Sequence, residues 1–513
     1  MPEQCVVETN CGKLRGSLEN GINVFKGVPY AQPPEGDLRF RAPQKLKPWA
    51  GVRDAFKFGD RSMQDDNAFA LPPALLKIIA GREMQPMSEN CLVLNVWTPA
   101  VNDGRKRPVM FWCHGGAFIA GSGDSPWYDG TNLSRKGDLV VVTINHRLGA
   151  FGYLHLADLG GEEFSASGNA GMLDIVAALE WVRDNIAALG GDAGNVTIFG
   201  ESGGGAKVSV LMAMPAAHGL FHKAIIQSGP AVEMASRGDA GETASKLLAE
   251  LNLNPGDVGK LRQIPATDLA RAQAAVLKKV SMMSFANRRR VGFNPVVDRN
   301  ILPGGPFAPT APAISANVPL MIGTNKDEMN LFFGFAPWLD GLDEAAMRQR
   351  VAMFVGDRAD RIVEAYRRAR PNDSMRDLVL AITTDQAMRI PSLVTADRKV
   401  AQHAAPVFVY LFTWETPVLD GRLKSPHALE IPFVFDTVQT SVGLTGDSPT
   451  RFALSEKMSR AWLAFARTAN PNHEGIPNWP QYSTETRPTM MFNDRCKVEN
   501  DPYRAERLAW DER

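Results

Sequence analysis

Along the chain, short runs that are apolar throughout end at glycine or polar turns, and longer stretches between them carry apolar residues at helical spacing. The runs at 107–113, 139–144, 196–199, 224–227, 318–322 and 406–412 lack polar alternation, as strands buried on both faces do. Their alternation with helical patterns predicts a mostly parallel sheet, and the earlier strands at 12–18, 22–28 and 93–98 predict an antiparallel start. Helical spacing marks 241–251, 266–277, 344–354 and 358–369. The expected architecture is α/β: a mostly parallel central sheet with antiparallel N-terminal strands, helices on both faces and helical lid/pocket insertions near 235–290 and 335–395. One domain over 1–513 is expected, because the candidate chemistry draws on segments between about 110 and 430.

Two predicted strands empty into glycine turns. Thr197-Ile198-Phe199 runs into Gly200-Glu201-Ser202-Gly203-Gly204 and then an apolar segment from Val208. A strand–turn–helix junction of this kind bends sharply at the serine, so its neighbours must be small, and it presents the hydroxyl as a nucleophile. The run at 107–113 ends likewise in His114-Gly115-Gly116-Ala117-Phe118. Acyl transfer needs N–H donors preset where a carbonyl oxygen becomes an oxyanion, and Gly116, Ala117 and Gly203 are the candidate donors. Positive φ would be costly at Ala117, so ordinary φ is expected there.

A serine needs a base, and the base needs a group that fixes its tautomer. Of eight histidines, His114 belongs to the glycine turn, His146 follows a strand, His473 sits in a Pro/Asn loop, and His218 and His222 flank a helix end. His427 instead lies in Ser425-Pro426-His427-Ala428-Leu429-Glu430, a loop after the strand at 406–412, where a mobile base belongs. The strand at 318–322 empties into Thr324-Asn325-Lys326-Asp327-Glu328, and on chemistry alone either Asp327 or Glu328 can be the acid.

Further segments match in register: Phe25-Lys26-Gly27-Val28-Pro29-Tyr30-Ala31, Glu89-Asn90-Cys91-Leu92, Asn145-His146-Arg147, Gly190-Gly191-Asp192, Gln227-Ser228-Gly229 and Asn478-Trp479-Pro480-Gln481-Tyr482. Over nearly its whole length the chain resembles the type-B carboxylesterases of the α/β-hydrolase superfamily, the family that includes cholinesterases, and within it the bacterial para-nitrobenzyl-esterase-like members. The resemblance implies the α/β-hydrolase fold and a serine hydrolase of carboxylic esters, with Ser202 as nucleophile, Glu328 rather than Asp327 as acid, and His427 as base. It also implies that Glu201, Ser228 and Glu430 lie close to His427, where crowded carboxylates would raise the pKa of Glu201 or Glu430.

The oxyanion turn resembles the variant of esterases that accept bulky, even tertiary, alcohol esters, which implies broad specificity for uncharged esters. Hydrolysis of carbamates or activated amides is the alternative. A catalytically dead adhesion or scaffold relative would usually lack the nucleophile that this chain keeps. No Trp occurs from Gln64 to Asn90, the counterpart of the loop that carries the choline-binding tryptophan in cholinesterases, so a choline ester is not expected. The apolar residues from Ala68 to Leu76, with Ile78 and Ile79, are expected to cover the entrance. Phe118, Ile119, Leu331, Phe332 and Phe335 are the candidate pocket residues, with Trp338 beside them.

Composition narrows the remaining classes. The 513 residues are 44% hydrophobic and 22% charged, without the apolar run of about 18 residues that a membrane span needs. Zero formal net charge gives no footprint for nucleic acid, and Arg288-Arg289-Arg290 reads as a solvated face. The position that supplies the family's usual disulfide partner for Cys91 reads as Met63, and Cys5, Cys11, Cys113 and Cys496 show no metal or redox spacing. Neither metal nor other cofactor is expected. Five cysteines in so long a chain, with the family match starting within ten residues of Met1, are read as a cytoplasmic location.

Overall fold

The computed structural model describes residues 4–68, 75, 84–287 and 290–511. Among them, thirteen strands form one sheet. β1 (Gln4–Thr9), β2 (Gly12–Glu19) and β3 (Ile22–Pro29) are antiparallel neighbours, with β4 (Val52–Asp54) beside β2, and β3 pairs antiparallel with β5 (Val93–Thr98). β5 joins β7 (Val140–Ile144), again antiparallel. The parallel part runs from β7 through β6 (Arg107–Cys113), β8 (Gly191–Glu201), β9 (Lys223–Gln227), β12 (Leu320–Asn325) and β13 (Val407–Phe412) to β14 (Pro488–Phe492). β15 (Lys497–Asn500) closes the order antiparallel, and β10 (Ala235–Ser236) pairs separately with β11 (Val296–Val297). This is the α/β-hydrolase arrangement expected, a mostly parallel sheet with an antiparallel N-terminal part.

Successive residues of the central strands face opposite cores, which is why those strands read as unbroken apolar runs. Val109, Phe111, Ile198, Ile226 and Ile322 enter one core, covered by the helix Ala170–Asn185. Met110, Trp112, Phe199, Ile225 and Met321 enter the other, covered by the helix Thr450–Thr468. The first cover is fastened by a buried ion pair: Arg147, just past β7, donates from Nη2 to Asp174 Oδ1 at 2.6 Å.

The predicted helical stretches fall in the helices Arg237–Glu250, Ala266–Asn287, Glu344–Val355 and Ala359–Ala369. The last two pack with Met375–Thr384 around Met347, Ile362, Tyr366 and Val379. β1, β4, β10, β11, β14 and β15 were not among the expected strands. β14 opens on Pro488, a residue that breaks a strand pattern yet is tolerated at a first position because it has no N–H to leave unpaired there. Arg288, Arg289 and most of the apolar stretch between Ala68 and Ile79 lie outside the described residues; of that stretch, Leu75 is buried with Leu331 and Leu423. No helix among the described residues is long and apolar enough to cross a membrane.

Candidate active site

The carboxyl ends of five parallel strands converge on the chemistry, as ligand sites of open α/β sheets do. β8 leads directly into Ser202, whose backbone turns at φ 58°, ψ −124° before the helix Gly203–Leu211 departs. The bend leaves no room for side chains beside it: a Cβ at Gly204 would lie 2.0 Å from Cys113 O, and one at Gly229 would lie 1.8 Å from Ser202 O. Glycine at these positions is therefore a condition of the strained serine.

The turn after β6 packs on this elbow. A Cβ at Gly115 would be 3.5 Å from Ser202 Cβ, and one at Gly203 would be 2.2 Å from Ala117 O. Gly116 has φ 87° and Ala117 φ 49°, so the ordinary φ expected at Ala117 is wrong. A left-handed alanine costs about 1–2 kcal/mol. Tertiary contacts impose it: Ala117 O accepts a 2.7 Å bond from buried Lys207 Nζ and lies against side-chain-free Gly203. Among the described residues the N–H groups of Gly116 and Ala117 donate to nothing, and Gly203 N–H is an orphan donor at its helix start.

His427 is buried, and its Nδ1 lies 2.6 Å from Glu328 Oε2. Glu328 Oε1 accepts from Asn325 N at 2.7 Å, which fixes the carboxylate against the end of β12. Asp327 faces elsewhere: its Oδ2 accepts from Ser425 N at 3.3 Å and so ties down the start of the histidine loop. The other ring nitrogen, Nε2, faces Glu201 Oε1 at 3.2 Å, while Ser202 Oγ makes no hydrogen bond among the described residues.

Glu430 is fully buried and accepts from Gln227 Nε2 at 3.1 Å and Asn325 Nδ2 at 2.7 Å; Gln227 Oε1 in turn accepts from Trp462 Nε1 at 3.0 Å. Burial and the Glu328 charge push Glu430 up to about 7 against those donors. Burial also carries Glu201 well above the usual carboxylate range, opposed by His427 and reinforced by Glu430 and Glu328. At His427 burial opposes the charged ring, but the charges of Glu201 and Glu328, with Glu430 further off, hold it up to about 9. Ser228 follows β9 with φ 46°, and its buried Oγ has no partner among the described residues, so no hydroxyl bond joins it to this set. Asn325, Gln227 and Lys207 were not singled out from sequence; the signal they carried was a lone polar side chain at the end of an apolar strand or within an apolar helix.

Residues 3–510 match the Carboxylesterase family. The chain belongs to that family. It is 37% identical over 507 residues to the para-nitrobenzyl esterase of Bacillus subtilis (strain 168), covering 98% of this chain and 97% of the relative. It is 33% identical to the phenmedipham hydrolase of Pseudarthrobacter oxydans, covering 98% of each. The crystal structure of a Geobacillus stearothermophilus carboxylesterase superimposes with a TM-score of 0.85 at 41% identity, covering 99% of this chain and 100% of the other. This carboxylesterase is a carboxylic-ester hydrolase.

The candidate pocket residues of the carboxylesterase divide into two groups. Phe332 lies beside the base, with its ring centre 5.1 Å from that of His427, and packs with Leu331 and Phe335 around Leu75. Arg422 covers the Phe335 ring at 4.8 Å. Phe118 is buried edge-to-face on Tyr153, ring centres 5.2 Å apart, and Ile119 packs at the border of the same core. Trp338 contacts Phe333, not His427.

Proposed function

We propose that the enzyme cleaves uncharged carboxylic esters through an acyl-enzyme on Ser202, with His427 as general base and acid, Glu328 as its orienting carboxylate, and the N–H groups of Gly116, Ala117 and Gly203 as the oxyanion hole. The observation that carries this reading is the buried 2.6 Å His427–Glu328 contact on the same sheet edge as the positive-φ Ser202. Starting from the resting geometry, the imidazole leaves Glu201 for Ser202 and takes the hydroxyl proton at Nε2 as Oγ bonds to the ester carbon. The carbonyl oxygen takes the negative charge and falls to the three N–H groups, which need no reorganisation to hold it. Collapse breaks the bond to the alcohol, His427 returns the proton to that leaving group, and a water deprotonated by the same nitrogen frees the acid and restores Ser202.

Phe332, Leu331 and Phe335 support an uncharged acyl or alcohol group, and the oxyanion turn supports bulky ones. The helices between β9 and β12 and between β12 and β13 are read as pocket walls of a single hydrolase domain. Five free cysteines support a reducing, cytoplasmic location. Phenmedipham, the compound in one relative's name, is a second substrate to try.

A fluorophosphonate should label the wild-type enzyme once per chain and leave Ser202→Ala unlabelled, and a series of p-nitrophenyl esters should show an acyl-length optimum. Equal labelling of Ser202→Ala would refute the assignment of the nucleophile.

A further inference from the structure

The helix that begins at Gly203 also buries a cation against the oxyanion turn. Lys207 is fully buried, and its Nζ donates to Ala117 O at 2.7 Å and His114 O at 3.0 Å, 5.3 Å from the centre of the Phe118 ring. It stands four residues after Gly203, on the same helix face, and helical side chains lean toward the N-terminus. Ala117 is thus gripped twice by one helix: its backbone rests on side-chain-free Gly203 and its carbonyl is held by Lys207. We propose that Lys207 is a positioning residue for ester hydrolysis, holding the Ala117 carbonyl so that this peptide keeps the left-handed φ that aims the Gly116 and Ala117 N–H groups at the oxyanion. The inference rests on the oxyanion-hole reading above.

A buried ammonium is costly unless its donors find partners, and the apolar neighbours Val208, Val210 and Leu211 give it no structural reason to be there. Its partners are the two carbonyls of the turn itself. Burial pulls Lys207 down to about 7, and the two carbonyls accept from it in either protonation state. His114 and His146 stack at 4.9 Å with each Nδ1 against a backbone carbonyl, and both rings stay neutral because burial, and then the Lys207 charge, disfavours the imidazolium; His114 is held down to about 3.

Lys207→Met keeps the stem and removes all three donors. With a p-nitrophenyl ester, kcat should fall roughly 10²-fold, the scale of a lost oxyanion donor, while KM stays within about three-fold. Affinity for a trifluoromethyl ketone, which mimics the tetrahedral state, should fall in parallel with kcat/KM. Ala117→Gly supplies the deciding arm. Glycine takes the left-handed conformation without help, so Lys207→Met should cost at least about tenfold less in the Ala117→Gly background than alone. Equal losses in both backgrounds, or an unchanged kcat, would overturn the proposal. Lys207→Gln, which keeps an amide donor, is the second variant; if neither single variant folds by circular dichroism, the lysine serves the fold and the proposal fails. Fluorophosphonate labelling separates this from the parent reading: a labelled wild type with an unaffected Lys207→Met removes only the role of the lysine, whereas an unlabelled wild type removes the acyl-enzyme itself.

Discussion

His427 Nε2 lies 3.2 Å from Glu201 Oε1, so the imidazole presents its outer nitrogen to a carboxylate, with no hydrogen bond to Ser202 Oγ among the described residues. With Glu328 on the opposite nitrogen, the ring is held between two acids, and Glu430 lies behind them. Such groups titrate together: the carboxylate charges hold His427 up to about 9, and burial raises Glu201 well above the usual carboxylate range. In the proposed cycle Nε2 exchanges Glu201 for Ser202. That step is open to tests by pH.

In Glu201→Gln the charge nearest Nε2 disappears, the imidazolium is less favoured, and the pKa of His427 falls from about 9. His427 acts as a base only when neutral, so wild-type activity is lost as pH falls through the raised value and the variant should stay active to lower pH. The acidic limb of kcat/KM should move down by about one unit, the order expected for one close charge. The pH–rate profiles of the two enzymes check this; superimposable profiles with equal rates would rule out the coupling of His427 to the Glu201 charge.

Glu328→Gln tests the opposite nitrogen. Asn325 N donates to Glu328 Oε1, so a glutamine there would turn its oxygen to that donor and its NH2 to His427 Nδ1. The imidazole would then carry its proton on Nε2, the tautomer that cannot accept from Ser202. A loss in kcat of roughly 10³–10⁴-fold is expected, with KM little changed, as when the orienting carboxylate of a triad is made an amide. A loss below tenfold in steady-state kinetics would contradict the orienting role.

Ser202, His427 and the acidic turn stood out in the sequence because each follows a strand whose apolar run is unmistakable, and glycines crowd around Ser202. Ala117 was misjudged for a physical reason: local preference disfavours a left-handed alanine, but Lys207 and Gly203, which override it, are distant in sequence. Asn325 and Gln227 are single polar residues at the ends of apolar strands, and only the sheet order, which sets β9 beside β12, shows that their amides share Glu430. The residues of the acidic turn left Asp327 and Glu328 open on chemistry alone and the family resemblance chose Glu328; the structure gives the two carboxylates different partners, Ser425 N for Asp327 and His427 Nδ1 for Glu328.

Asp174→Asn is expected to weaken the fold without reaching the chemistry directly. Asp174 Oδ2 accepts from Arg147 N at 3.0 Å and Nε at 2.8 Å, and Oδ1 accepts from Nη2, all of it buried. An asparagine would leave the guanidinium in place without a counter-charge, which typically costs about 3–5 kcal/mol. Denaturant unfolding of the two proteins measures the difference; a change below about 1 kcal/mol would show that Arg41 O, which also accepts from Arg147, satisfies the cation.

Phe332→Ala addresses the ester itself. The ring sits 5.1 Å from His427 and is only partly buried, packed against Leu331 and Leu75 and against the core that holds Met329, and its exposed part is expected to meet an acyl or alcohol chain near the base. Truncation should open apolar space there. Each methylene that gains burial is worth about 0.8 kcal/mol, so two more carbons can gain up to roughly 15-fold in kcat/KM. The p-nitrophenyl ester optimum should move to acyl chains at least about two carbons longer, with a smaller loss for acetate because the Glu328 contact still orients His427. An unshifted optimum with uniformly reduced rates would mean that Phe332 only supports the histidine ring, and that the acyl chain lies along another wall.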